Sequence, residues 1–215
     1  MNDAGNWSAT VLNYQFSDSD LLTRALTHRS ASGDHNERLE FLGDAVLDLT
    51  ISIALYDVKS TVREGGLSRY RAELVRKESL VETANRVGLA PHIILGGGEL
   101  RSGGRQRDSV LANTLEAVLG AILLDGGFEA ANRVILDLFR DRLATLPAED
   151  ELKDPKTRLQ ECLQARRLPP PDYELINVTG AAHAQTFEVA CRSRDPELEM
   201  RATGSSRRRA EQAAA

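Results

Sequence analysis

From Ser17 to about Leu143 apolar residues recur at intervals of three and four with few β-branched alternations, the pattern of helices that bury one face. Ser17 or Asp18 can cap a first helix running through Leu21, Leu22 and Leu26 to about His28. A second helix is expected over about 36–56. A third begins near Leu67, after a break at Gly65-Gly66, and carries Leu74, Val75, Leu80, Val81 and the residues 84–87. Residues 95–108, LGGGELRSGGRQRD, read as a Gly-rich loop. Ser109 then opens another helix, Gly126-Gly127 ends it, and a last one covers 129–143. Trp7 and Tyr14 read as packing residues of an N-terminal extension.

The period changes after the polar, proline-containing stretch 147–153, PAEDELK, which suits a linker. A helix over about 155–167 ends in Pro169-Pro170-Pro171, alternating segments follow at 173–178, 186–192 and 197–202, and a final helix starts at Ser205 or Ser206. The expected fold is therefore an all-α domain over 1–146, the linker 147–153, and a small α+β domain, α-β-β-β-α, over 154–215.

Composition changes this picture at a few points. The 215 residues carry a net charge of -5, but unevenly: from Asp154 onward there are 10 Lys and Arg against 9 Asp and Glu, and before it 17 against 23. The acidic surplus belongs to the front domain, and the densest basic run, Arg207-Arg208-Arg209, to the back. Cys162 and Cys191 make no metal-ligand spacing and no disulfide framework, which fits a reducing compartment and small core residues. The start of the chain has neither a basic nor an apolar run, and the apolar stretch 110–124 is interrupted by Asn113 and Glu116, so no signal peptide or membrane span is expected and the cytoplasm is the default location.

The candidate chemistry lies in the second helix. Glu37, Glu40 and Asp44 are three and four apart and share one helix face within an otherwise apolar segment. Like charges at this spacing repel and are costly to desolvate unless a cation sits among them. Asn113 and Glu116 stand three apart on a second apolar helix, so packing the two helices side by side could place Glu40, Asp44, Asn113 and Glu116 around one point. Carboxylates and an amide, with no histidine or cysteine at helical spacing, favour Mg2+, with Mn2+ as a substitute, over zinc. Such a site can polarise a phosphoryl oxygen. The plainer alternative is a set of solvated or salt-bridged helix positions.

The string HNERLEFLGDAVL, 35–47, resembles the signature of the ribonuclease III family. So do ALTHRS at 25–30, Glu64 with GGLSRYRAEL, and LANTLEAVLG at 111–120, and the resemblance extends over nearly the whole chain. It implies a homodimeric, Mg2+-dependent endonuclease without organic cofactor that hydrolyses double-stranded RNA, leaves 5′-phosphate ends and short 3′ overhangs, and processes ribosomal RNA precursors and other structured transcripts. By matching position Asp44 and Glu116 would be catalytic, with Glu40 and Asn113 completing the metal ligands. Glu37 and Glu64 would line the same cleft and assist the cut. Phe41 matches a residue that packs into the partner subunit, against a plain reading as core. Asn113 stands where well-known members have aspartate, and its amide brings no charge. The rival implication is a catalytically weakened RNA-binding regulator.

The back domain resembles the double-stranded RNA-binding domain. Thr157, Gln160 and Glu161 match residues that reach the minor groove, His183 in GAAH matches the loop that enters the next one, and Arg207 and Arg208 take the paired basic positions of the last helix. Arginines at a helix N-terminus suit phosphates across the major groove, and A-form duplexes are read mainly by shape. Glu211 replaces a commonly basic position, and the family's last helix usually continues beyond the point reached by Ala215, so a truncated helix is expected. The basic loop 101–107 is a lesser candidate for backbone contact through Arg105 and Arg107, and His28 and Arg29 read as structural cations at a helix end.

Overall fold

The computed structural model describes residues 3–182, 184–194 and 197–215, and the chain divides into two compact units, Met1–Leu146 and Pro147–Ala215. The first is helical: α1 (Asp3–Val11), α2 (Ser19–Leu26), α3 (Glu37–Val58), α4 (Glu64–Val75), α5 (Lys77–Arg86), α6 (Gly97–Arg101) and α7 (Asp108–Ala144). Asp18 caps α2, its carboxylate accepting the Asp20 backbone N–H at 2.9 Å.

α7 is the axis of this unit and packs against α2, α3 and α5. It spans 37 residues and breaks at Gly127, whose φ of 77° and ψ of -178° no other residue type adopts cheaply, so the expected stop at Gly126-Gly127 is a kink between two helical halves. By length and composition α7 could cross a bilayer, but 61% of its apolar window is buried inside the protein, as in a core helix. Leu111, Leu115, Val118, Leu119 and Ile122 of α7 and Leu39, Leu47 and Ile51 of α3 are buried where the two helices pack.

The Gly65-Gly66 pair opens no gap: both residues lie in the first turn of α4, and the Gly66 N–H donates to the Arg63 carbonyl oxygen at 2.9 Å. The break falls instead at Arg76, which is extended (φ -60°, ψ 153°). It lets α4 follow α3 while α5 turns onto α7, burying Tyr70 and Leu74 on one side and Leu80 and Ala84 on the other. Residues 95–108 are more ordered than a loop: Gly97–Arg101 is helical, Gly104–Gln106 forms a 3-10 turn, and Arg107 ion-pairs with Glu99 at 2.6 Å. The N-terminal extension packs as expected. Trp7 donates from Nε1 to the Val87 carbonyl oxygen at 2.7 Å and stacks on His92, and the Tyr14 hydroxyl donates to Asp125 at 2.6 Å.

In the second unit α8 (Pro155–Ala165) is followed by the antiparallel sheet β1 (Asp172–Thr179), β2 (Thr186–Arg194) and β3 (Glu197–Gly204), in the order β1-β2-β3, and by α9 (Arg207–Ala214). A bulge lies between Leu175 and Asn177. Leu163, Val189, Cys191, Ala210 and Ala214 form the core under α9. Cys162 is exposed, contrary to its expected core role, because the neighbouring Leu163 takes the inward direction of α8. The segment expected as a linker belongs to this unit: Glu149–Leu152 is a 3-10 turn, and Lys153 pairs with Asp150 at 2.8 Å and Glu161 at 2.6 Å.

Candidate functional site

α3 and α7 touch backbone to backbone at two glycines. A Cβ on Gly120 would stand 2.2 Å from the Leu39 carbonyl oxygen, and one on Gly43 closer still to the backbone of Glu116. This contact brings Glu40 and Asp44 of α3 opposite Asn113 and Glu116 of α7. All four, with Glu37 and Phe41, line a cleft of about 520 Å³.

Burial and neighbouring charges set the electrostatics of the cleft. Burial, then the charges of Asp44, Glu40 and Asp48, push the Glu116 carboxyl up to about 7. Burial also raises Glu40; a hydrogen bond from Asn113 opposes this, and the charges of Glu37 and Asp44 add to it. At the rim Arg29 reaches Glu37 at 3.3 Å and partly offsets the rise of Glu40, and His28 bonds through Nδ1 to the Ser30 hydroxyl at 2.8 Å. The carboxylates of Glu40, Asp44 and Glu116, of which Glu40 and Glu116 are raised by burial and by neighbouring acids, fit a hard divalent cation, with the Asn113 amide as a neutral donor. Among the described residues no three His, Cys, Asp or Glu side chains stand close enough together to hold a metal ion as they are.

Other expected members fall elsewhere. Glu64 does not line this cleft. It accepts a hydrogen bond from Ser68 at 2.9 Å and borders a separate hollow with Tyr56 and Arg71, because α4 starts beyond the far end of α3. Phe41 is no core residue: it is 80% exposed and heads an apolar stripe that continues through Leu49 and Tyr56 along α3. Sequence reasoning missed Asp48, one turn beyond Asp44; its spacing of four was the available signal. It also assigned His28 and Arg29 only a structural role, whereas both line the cleft. Arg107 is engaged by Glu99 and Ser102, and Nε of Arg105 is buried.

In the second unit Thr157, Gln160 and Glu161 are exposed on α8, with Glu161 held by Lys153. Ser206 caps α9, accepting the Arg209 N–H at 3.2 Å, and places Arg207 and Arg208 in its first turn. Arg208 is 82% exposed, with its guanidinium 4.0 Å from Asp154, and Arg207 is tied to Glu211 at 2.9 Å. Glu211 also binds Lys156 at 2.6 Å, and Lys156 lies 4.2 Å over the Tyr173 ring. Glu211 is thus a clamp between α8 and α9 rather than a charge facing outward. His183 lies outside the described residues. Its loop leaves β1 through Gly180, whose φ is 94° and where a Cβ would strike the Ala184 carbonyl oxygen.

Comparison with known proteins agrees with both halves. Residues 18–143 match the family described as Ribonuclease-III-like, and residues 155–215 match the double-stranded RNA binding motif. The chain is 52% identical to Ribonuclease 3 of Alkalilimnicola ehrlichii over 95% of its own length and 90% of the relative's. It is 51% identical to Ribonuclease 3 of Photobacterium profundum over 100% and 96%. Among solved structures it resembles the nuclease domain of ribonuclease III from Campylobacter jejuni, described for flexibility in its dimer-forming region, at 42% identity and a TM-score of 0.61 over 63% of this chain and 95% of that one.

Proposed function

The chain belongs to the ribonuclease III family as an endoribonuclease with a double-stranded RNA-binding domain, and from that membership we propose that it cleaves RNA duplexes with Mg2+, leaving 5′-phosphate ends and short 3′ overhangs. The observation that carries this reading is the convergence of Glu40, Asp44 and Glu116 across the α3–α7 crossing, with Glu116 raised to about 7 by burial and by the charges of Asp44 and Glu40. Glu40, Asp44, Glu116 and Asn113 would hold the cation, which when bound supplies Lewis-acid polarisation of the phosphodiester. Asp44 and Glu116, facing each other, fix the geometry at the reacting phosphate. Glu37 and Arg29 at the rim set the potential that the incoming strand meets.

The proposed active form is a homodimer. The exposed stripe Phe41, Leu49 and Tyr56 is a large apolar face for a single chain to leave open, and the Campylobacter nuclease domain has a dimer-forming region. Glu64, lying outside the cleft of its own chain, can assist the cut only from the second copy. In the second unit, Thr157, Gln160 and Glu161 on α8 and Arg208 on α9 are offered to the duplex, whose phosphates supply most of the affinity. The proposed setting is the cytoplasm, with precursors of ribosomal RNA and other structured transcripts as substrates.

A long perfect RNA duplex incubated with the full chain, with and without Mg2+, tests the reading. Discrete short duplex products only with metal are expected, together with loss of cleavage but retained binding in Asp44→Asn. Binding without cleavage at any Mg2+ concentration would favour the regulator instead.

A further inference from the structure

The acid face of α3 continues past Asp44. One carboxylate oxygen of Asp48 is buried with no hydrogen-bond partner, and the other stands 3.8 Å from Nε of Arg71 on α4, outside hydrogen-bond reach. Arg71 turns part of its fork elsewhere: Nη1 donates to the Ser52 hydroxyl at 3.1 Å, and that hydroxyl donates to the Asp48 carbonyl oxygen at 2.6 Å. An arginine and an aspartate whose task was to staple two helices would form the bidentate pair that a guanidinium offers, and an orphaned buried oxygen works against stability. Here the pair is loose, with side chains 39% and 41% exposed, and the charge of Asp48 is left to act on its neighbours.

We propose that Asp48 is a positioning residue that sets the cation affinity of the acid cleft, adding negative potential one turn below Asp44 where Asn113 brings none, and that Arg71 opposes it. The inference rests on the metal-dependent reading above. Two further observations agree with it: Asp48 is among the acids that raise Glu116, and Arg71 works against the burial that raises Asp48.

The test is Mn2+ binding to the full chain without RNA, followed by the electron paramagnetic resonance of free Mn2+, in the wild type, Asp48→Asn, Arg71→Gln and the double variant. Asp48→Asn is expected to bind about fivefold more weakly, Arg71→Gln about twofold more tightly, and the double variant between them. A structural staple predicts shifts of the same sign, since losing either partner breaks the pair. Equal-signed shifts, or unchanged affinity in Asp48→Asn, overturn the proposal. Melting of the metal-free variants shows whether they fold; should Asp48→Asn not fold, Arg71→Gln decides alone, tighter binding supporting the proposal and unchanged or weaker binding overturning it. A wild-type chain that binds no Mn2+ overturns the metal-dependent reading itself, whereas wild-type binding with indifferent variants overturns only this inference.

Discussion

Gly43 lies so close to Glu116 that a Cβ added to the glycine would stand 1.8 Å from the Glu116 carbonyl oxygen. Glu40 and Asp44 flank Gly43 on α3, and Glu116 is itself the point of contact on α7. The helix crossing and the acid cleft are therefore one piece of geometry, and whatever separates the backbones also separates the carboxylates.

Gly43→Ala is expected to cost about 3 kcal/mol of stability through overpacking that rigid backbone cannot relieve, and to abolish cleavage even where the variant still folds. Gly5→Ala in α1, where a Cβ meets nothing within 4 Å, is the control: it leaves cleavage unchanged and does not lower the melting temperature. Thermal melting and duplex cleavage read the two effects. A Gly43→Ala chain that melts and cuts like the wild type would contradict the crossing described above.

The Glu116 carboxyl keeps its proton up to about 7, against 4.5 ordinarily, so between those values the folded chain binds more protons than the unfolded one. Stability of the metal-free protein therefore falls as pH rises through that window and levels off above it. Cation affinity runs the other way, rising with pH until Glu116 is ionised. Urea unfolding of the wild type and Glu116→Gln across the window should show a shallower pH slope in the variant. Parallel curves would mean that Glu116 is not the group responsible.

Asn113 hydrogen-bonds to Glu40 and lowers its pKa against burial. Asn113→Asp replaces that bond with a like charge, so the metal-free chain should lose about 1 kcal/mol, while half-maximal cleavage should need several-fold less Mg2+. Titrating Mg2+ against cleavage rate checks this, and an unchanged requirement would remove Asn113 from the ligand set.

Glu211, 13% exposed, holds both Lys156 and Arg207. Glu211→Gln frees two cations and should tighten duplex binding at low salt while lowering the melting temperature of the second unit. Arg208→Ala removes an 82% exposed charge, so it should weaken binding to any duplex and reduce the salt slope by about one. Binding measured at several salt concentrations separates the two. If Glu211→Gln binds no tighter, the first turn of α9 is not the phosphate contact.

Much of this was legible in the residues, because burial imposes its period locally. The recurrence at three and four in the first unit, and the alternation after Pro171, required helices and then a sheet under any packing. Glu40, Asp44, Asn113 and Glu116 had to face α3 and α7 inward together once the glycines permitted contact. The spacing that places Asp44 one turn from Glu40 places Asp48 one turn further, and only its buried oxygen beside Arg71 marks it out.

Other features depended on which surface covers which, and that is a property of the assembled fold. Nothing local distinguishes Arg76 from a helical residue until α4 and α5 need different neighbours. Phe41 could face the core or a partner until α3 is seen to turn it outward, and Glu64 reads as a cleft residue until α4 is seen to start elsewhere. Glu211 reads as a surface charge until α8 supplies Lys156. Side-chain type and spacing determined the elements and the chemistry they carry. The tertiary structure decided the exposure and partner of each charge, since desolvation and Coulomb interactions depend on distances in space and not along the chain.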